Sequence, residues 1–83
     1  LRIEGGGLLV LEGGDLPLNE VEILLGPEAR AVITFPNKDE KWVRETMSRV
    51  VKRDGRSGRE DRDYQIEDLG GEGVRVTFKP ELP

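Results

Sequence analysis

The sequence predicts a small α+β fold, an antiparallel sheet carrying one amphipathic helix on one face, in the order β-β-β-β-α-β-β. Three observations lead there. Segments of strict apolar/polar alternation occur on both sides of a single stretch with helical periodicity. Glycine and proline punctuate the chain between these segments. The length, 83 residues, holds one domain and one core, burying about 60–65% of the surface its unfolded form exposes.

The elements follow in order. Leu1–Glu4 and Leu8–Glu12 flank Gly5-Gly6-Gly7 and read as a hairpin. The echo of Ile3-Glu4-Gly5-Gly6 in Leu11-Glu12-Gly13-Gly14 reads as two similar strand ends. Asp15–Asn19, with Pro17, reads as a connecting loop. Val21, Ile23 and Leu25 then alternate with Glu20, Glu22 and Leu24, the pattern of a half-buried strand. Gly26-Pro27-Glu28 turns the chain, and Ala31, Ile33 and Phe35 form the predicted antiparallel partner.

The helix comes next. Asn37 is expected as its N-cap, with Glu40 three residues on completing a capping-box spacing. At about 100° per residue, Trp42, Val43, Thr46, Met47, Val50 and Val51 share one half of the cylinder, opposite Lys41, Arg44, Glu45 and Ser48. Lys52 and Arg53 are placed in the last turn, where they suit the helix dipole, and Gly55 is expected to stop it. Tyr64 and Ile66 mark a further strand, Gly70, Gly71 and Gly73 its turn, and Val74, Val76 and Phe78 the last strand, ended by Pro80.

Composition narrows function. The chain has no cysteine and no histidine, which removes thiolate chemistry, the usual general base and the commonest metal ligand. Ser48, Ser57 and the threonines would need a lysine or carboxylate as base, and no triad-like order is visible. A pair of carboxylates has little room for a glycoside cleft. The chain is therefore expected to be non-enzymatic, with no cofactor and no metal. Glu60-Asp61-Arg62-Asp63 departs from calcium-loop spacing, because Ile66 stands where a glycine belongs. The glycine-rich stretches do not open a helix, so they read as turns and not phosphate cradles. Abundant Glu and Arg with few amides resembles the bias of heat-adapted proteins, or of a GC-rich genome.

The longest apolar run, Leu8–Leu11, is too short for a signal core or a span. The expectation is a soluble, cytoplasmic chain that makes no membrane contact. It starts at Leu1 without an initiator methionine, in what reads as mid-strand, which suits either a piece of a longer protein or a trimmed chain. Val50-Val51-Lys52-Arg53-Asp54-Gly55-Arg56 resembles the opening of the ATP-cone of nucleotide-reductase regulators. In that family the segment starts a domain and a helical bundle follows; here a helix precedes it, and 27 residues reading as loop and strands follow. Nothing is carried over from seven residues.

Two partner classes remain. Leu8–Leu11 is apolar on both faces, and one helix covers only one side of a sheet. The strand then sits centrally under a loop, or it docks on another protein or a second copy of the chain through Leu9 and Leu11. A charge layout basic in the middle and acidic at both ends suits such an assembly module, whether structural subunit, inhibitor or regulatory domain. The alternative is nucleic acid, bound by Lys52, Arg53, Arg56, Arg59 and Arg62, the arginines recurring every third residue. Against it, Asp54, Glu60, Asp61 and Asp63 are interleaved with these bases, and no aromatic stacking platform accompanies them.

Overall fold

The computed structural model describes residues 2–5, 8–12 and 22–80; the loop expected at 15–19 and the strand position expected for Val21 lie outside them. Among these residues, eight strands form two mixed four-stranded sheets, joined by one α-helix. Sheet A has the order β1 (Arg2–Ile3), β3 (Ile23–Leu25), β5 (Val51–Arg53), β6 (Arg56–Ser57). Sheet B has the order β2 (Leu8–Glu12), β4 (Arg30–Phe35), β8 (Val74–Phe78), β7 (Tyr64–Asp68).

The expected first hairpin is absent among these strands, and so is the antiparallel pairing expected across Gly26-Pro27-Glu28. β1 pairs in parallel with β3, and β2 in parallel with β4. Arg2 faces Leu24 and Leu8 faces Arg30, so both pairs keep one offset of 22 residues. Arg2–Ile3 and Leu8–Glu12 therefore lie beside the 24–34 stretch in a single register, the first in sheet A and the second in sheet B. Gly5 lies against Glu28, and the Gly26 N–H donates to the Ile3 carbonyl at 2.8 Å. Antiparallel pairing holds for β4-β8-β7 and for β5–β6.

The helix, α1 (Glu40–Val50), is shorter at both ends than the sequence suggests. Its N-cap is Asp39, whose Oδ1 accepts from the Trp42 N–H at 2.7 Å, leaving Asn37 in the preceding turn. It stops at Val50 because the extended Val51 starts a strand that pairs with β3. Gly55 does not cap it. Asp54 and Gly55, at φ 54° and 77°, form the two-residue turn between β5 and β6, the positive-φ pair that a tight hairpin favours.

The core lies between the inner faces of the sheets and the helix. Val43, Met47 and Val50 from α1, with Thr46, are buried as the periodicity predicts. They meet Ala31, Ile33, Phe35, Val76 and Phe78 of sheet B and Ile23, Leu25 and Val51 of sheet A. Trp42 is half-buried, edge-on to Phe35 at 5.8 Å between centroids, with the Lys38 ammonium 4.5 Å from its ring centre. No helix among the described residues is long and apolar enough to cross a membrane.

Candidate interaction surface

Strand alternation decides which of the predicted binding residues reach the surface. Read as a helix end, Lys52 and Arg53 are neighbours on one surface. In β5 they point to opposite faces. Lys52 lies in the outer row Arg2–Leu24–Lys52–Ser57, and its ammonium donates to Ser57 Oγ at 3.2 Å. Arg53 lies in the inner row Ile3–Leu25–Arg53–Arg56 and is 1% exposed.

A buried guanidinium needs a counter-charge and acceptors, and Arg53 has both. Nη1 donates to Asp63 Oδ1 at 2.8 Å, and Nη2 to the Lys79 carbonyl at 2.6 Å. The Gly26 carbonyl lies 3.5 Å from Nη2. Asp63, fully buried, takes Arg56 Nη1 on Oδ2 at 3.2 Å and the Arg59 N–H at 2.8 Å. Burial alone would raise this carboxyl; the Arg59 N–H, the Arg56 bond and the two guanidinium charges outweigh it and hold Asp63 below the usual carboxylate range. The cluster ties β5, the 59–63 loop, the end of β8 and the β3–β4 corner together. Arg53 and Arg56 are thus brought together on a carboxylate of their own chain.

Arg59 and Arg62 remain exposed and form no ion pair among the described residues. On the helix face, Arg44 bridges Glu60 at 2.7 Å and Glu40 at 3.0 Å. Those two bonds, from Glu60 first, raise the Arg44 guanidinium, and the same Arg44 bond lowers the Glu60 carboxyl. The other helix pairs that the spacing suggests, Lys41–Glu45 and Glu45–Arg49, are not formed among the described residues.

An open cleft of about 500 Å³ lies over the outer face of sheet A, among Arg2, Glu22, Leu24, Lys52 and the strand-end residues Glu4 and Asp54. Its lining mixes these charges with Leu24 and Leu25 and holds no aromatic side chain, unlike a small-molecule pocket, which is walled mainly by hydrophobic and aromatic groups. Among the described residues, no three carboxylates converge as metal ligands.

The apolar run is not central. Among the described residues, β2 is an edge strand of sheet B. Leu9 and Leu11 sit beside the buried Ala31 and Ile33 in the register and lean toward the core, Leu9 being 39% exposed and Leu11 half-buried. Leu8 and Val10, facing outward beside Arg30 and Val32, are 64% and 66% exposed. These two are the side chains that sequence reasoning missed. Alternation shows that residues 8 and 10 share a face, but only the register tells which face is outside. Comparison with protein-family models, with curated proteins and with solved structures returns no match.

Proposed function

We propose that this chain is a non-catalytic protein-interaction or assembly module that engages its partner through the edge of β2 that no strand pairs among the described residues. The observation that carries the reading is the contrast between this edge and the other three. β1 and β6 are two residues long, and β7 presents Gln65, Glu67 and Asp68. Short or charged edges discourage strand addition. β2 is five residues long, and Leu8, Leu9 and Val10 are exposed, with Glu12 at its end the single charged residue. A mainly apolar edge next to a well-packed sheet suits an incoming extended segment, with main-chain hydrogen bonds giving affinity and alternate side chains giving selectivity. The nucleic-acid alternative keeps Lys52, Arg59 and Arg62, while Arg53 is committed to Asp63 and two carbonyls.

The test compares capture from a lysate of the source organism by the wild-type chain and by Val10→Lys. The position is mostly exposed, so circular dichroism should be unchanged while specific capture is lost. Capture that persists in V10K would overturn the reading. So would captured nucleic acid that disappears after nuclease treatment or with Arg59→Ala/Arg62→Ala.

A further inference from the structure

We infer that the occupant of the β2 edge is β2 of a second copy, paired antiparallel about a two-fold axis through Val10. This rests on β2 being the docking edge and names its partner. A two-fold normal to the sheet keeps outward residues outward only when opposed residue numbers have an even sum. The register centred on Val10 is the one that pairs all five residues of β2. It sets Val10 opposite Val10, Leu9 opposite Leu11, and Leu8 opposite Glu12.

Each row is self-complementary. Because Val32 is the β4 neighbour of Val10, the central outer row becomes Val32–Val10–Val10–Val32, closing the most exposed apolar side chain against itself. On the inner face, Leu9 of one copy meets Leu11 of the other beside Ala31 and Ile33. The flanking outer rows carry charge. Arg30 is the β4 neighbour of Leu8, so Glu12 of the second copy lies one strand beyond Leu8 in the same row. The two are about 10 Å apart at Cα, a gap that an arginine and a glutamate close by reaching toward each other across a leucine. The axis repeats the pair on the other side. Both residues are exposed, and neither has an ion pair among the described residues. Arg75, two strands from Glu12 in its own sheet, is occupied by Glu67 at 3.7 Å. The register therefore sets no like charges opposite one another and joins two four-stranded sheets into one of eight.

The experiment is sedimentation equilibrium of the full chain over a concentration series, paired with hydrogen exchange of the β2 amides. The expected result is a dimer whose population rises with concentration, with β2 protection rising in step. Val10→Lys should abolish both while leaving the melting temperature of the monomer unchanged. Arg30→Glu and Glu12→Arg should each weaken dimerisation about tenfold, since each reverses two symmetry-related pairs. The double reversal should recover to within about threefold of wild type. A chain monomeric at about 1 mM overturns the inference, whether β2 is unprotected or is protected at all concentrations by its own chain. A dimer insensitive to V10K, or a double reversal no better than the singles, overturns it as well. A monomer whose partner capture is still lost in V10K removes self-pairing and leaves the docking edge standing; indifference of both to V10K removes both.

Discussion

Asp63→Asn is the substitution that most directly probes how this fold is held. It keeps the shape of the side chain and removes the one negative charge within 3.2 Å of both Arg53 and Arg56. Arg53 cannot turn to water, because its side chain is 1% exposed and is held on the inner face of sheet A, beside Leu25 in the register and paired with Asp63. Removing one partner of a buried pair costs about 3–5 kcal/mol, since the other charge stays buried. A domain of 83 residues has roughly 4–12 kcal/mol in total, so the variant should be marginal or unfolded at neutral pH. With a guanidinium slope of about 2 kcal/mol/M, the midpoint should fall by about 2 M. Arg53→Met should cost less, because Asp63 keeps Arg56 and the Arg59 N–H. The double variant should be less damaged than the sum of the singles by about 2 kcal/mol, the charge that each single leaves stranded being absent. The assay is guanidinium unfolding of all four proteins, followed by tryptophan fluorescence from Trp42. A cost below about 1 kcal/mol for D63N, or additivity within about 0.5 kcal/mol, would refute the reasoning.

Acid should act through the same carboxylate. Asp63 is held below its ordinary range when folded, so the unfolded chain takes up the proton first. Its contribution is complete above the unfolded value of about 4 and is lost as pH falls through the folded value below that. The wild-type midpoint should therefore drop below pH 4 more steeply than that of D63N, and equal slopes would contradict this. Gly73 has φ 101°, and a Cβ there would overlap the Phe35 carbonyl and Pro36 Cα; Gly73→Ala should cost about 3 kcal/mol or more. Gly71→Ala, in open space at an ordinary φ, should stay within about 0.5 kcal/mol of wild type, so thermal melts of the pair separate crowding from composition. Asp39→Ala should cost about 1 kcal/mol by removing the cap on Trp42, and Asn37→Ala less than half that, as measured by chemical unfolding.

Local pattern alone set out much of this protein. The alternation in Tyr64–Ile66 and Val74–Phe78, the apolar face of the helix from Val43 to Val50, and the unusual run Leu8–Leu11 are all readable from periodicity, because side-chain direction repeats every two residues in a strand and every 3.6 in a helix. An Asp-Gly pair between Arg53 and Arg56 also carries a hairpin signal, overlooked when Gly55 is read as a helix stop. Partner choice is not written locally. A hairpin between Leu1–Glu4 and Leu8–Glu12 is a local expectation, and what decides against it is the 22-residue register that sets Ile3 beside Leu25 and Leu9 beside Ala31. The same holds for the candidate site. Whether Arg53 is a surface cation or a buried one depends on the helix ending at Val50, since a strand then turns Lys52 out and Arg53 in toward Asp63, ten residues away. Which face of each element is apolar follows from short-range geometry in the sequence; which faces meet, and which edge is left over, follows from the long-range pairing that only the folded chain selects.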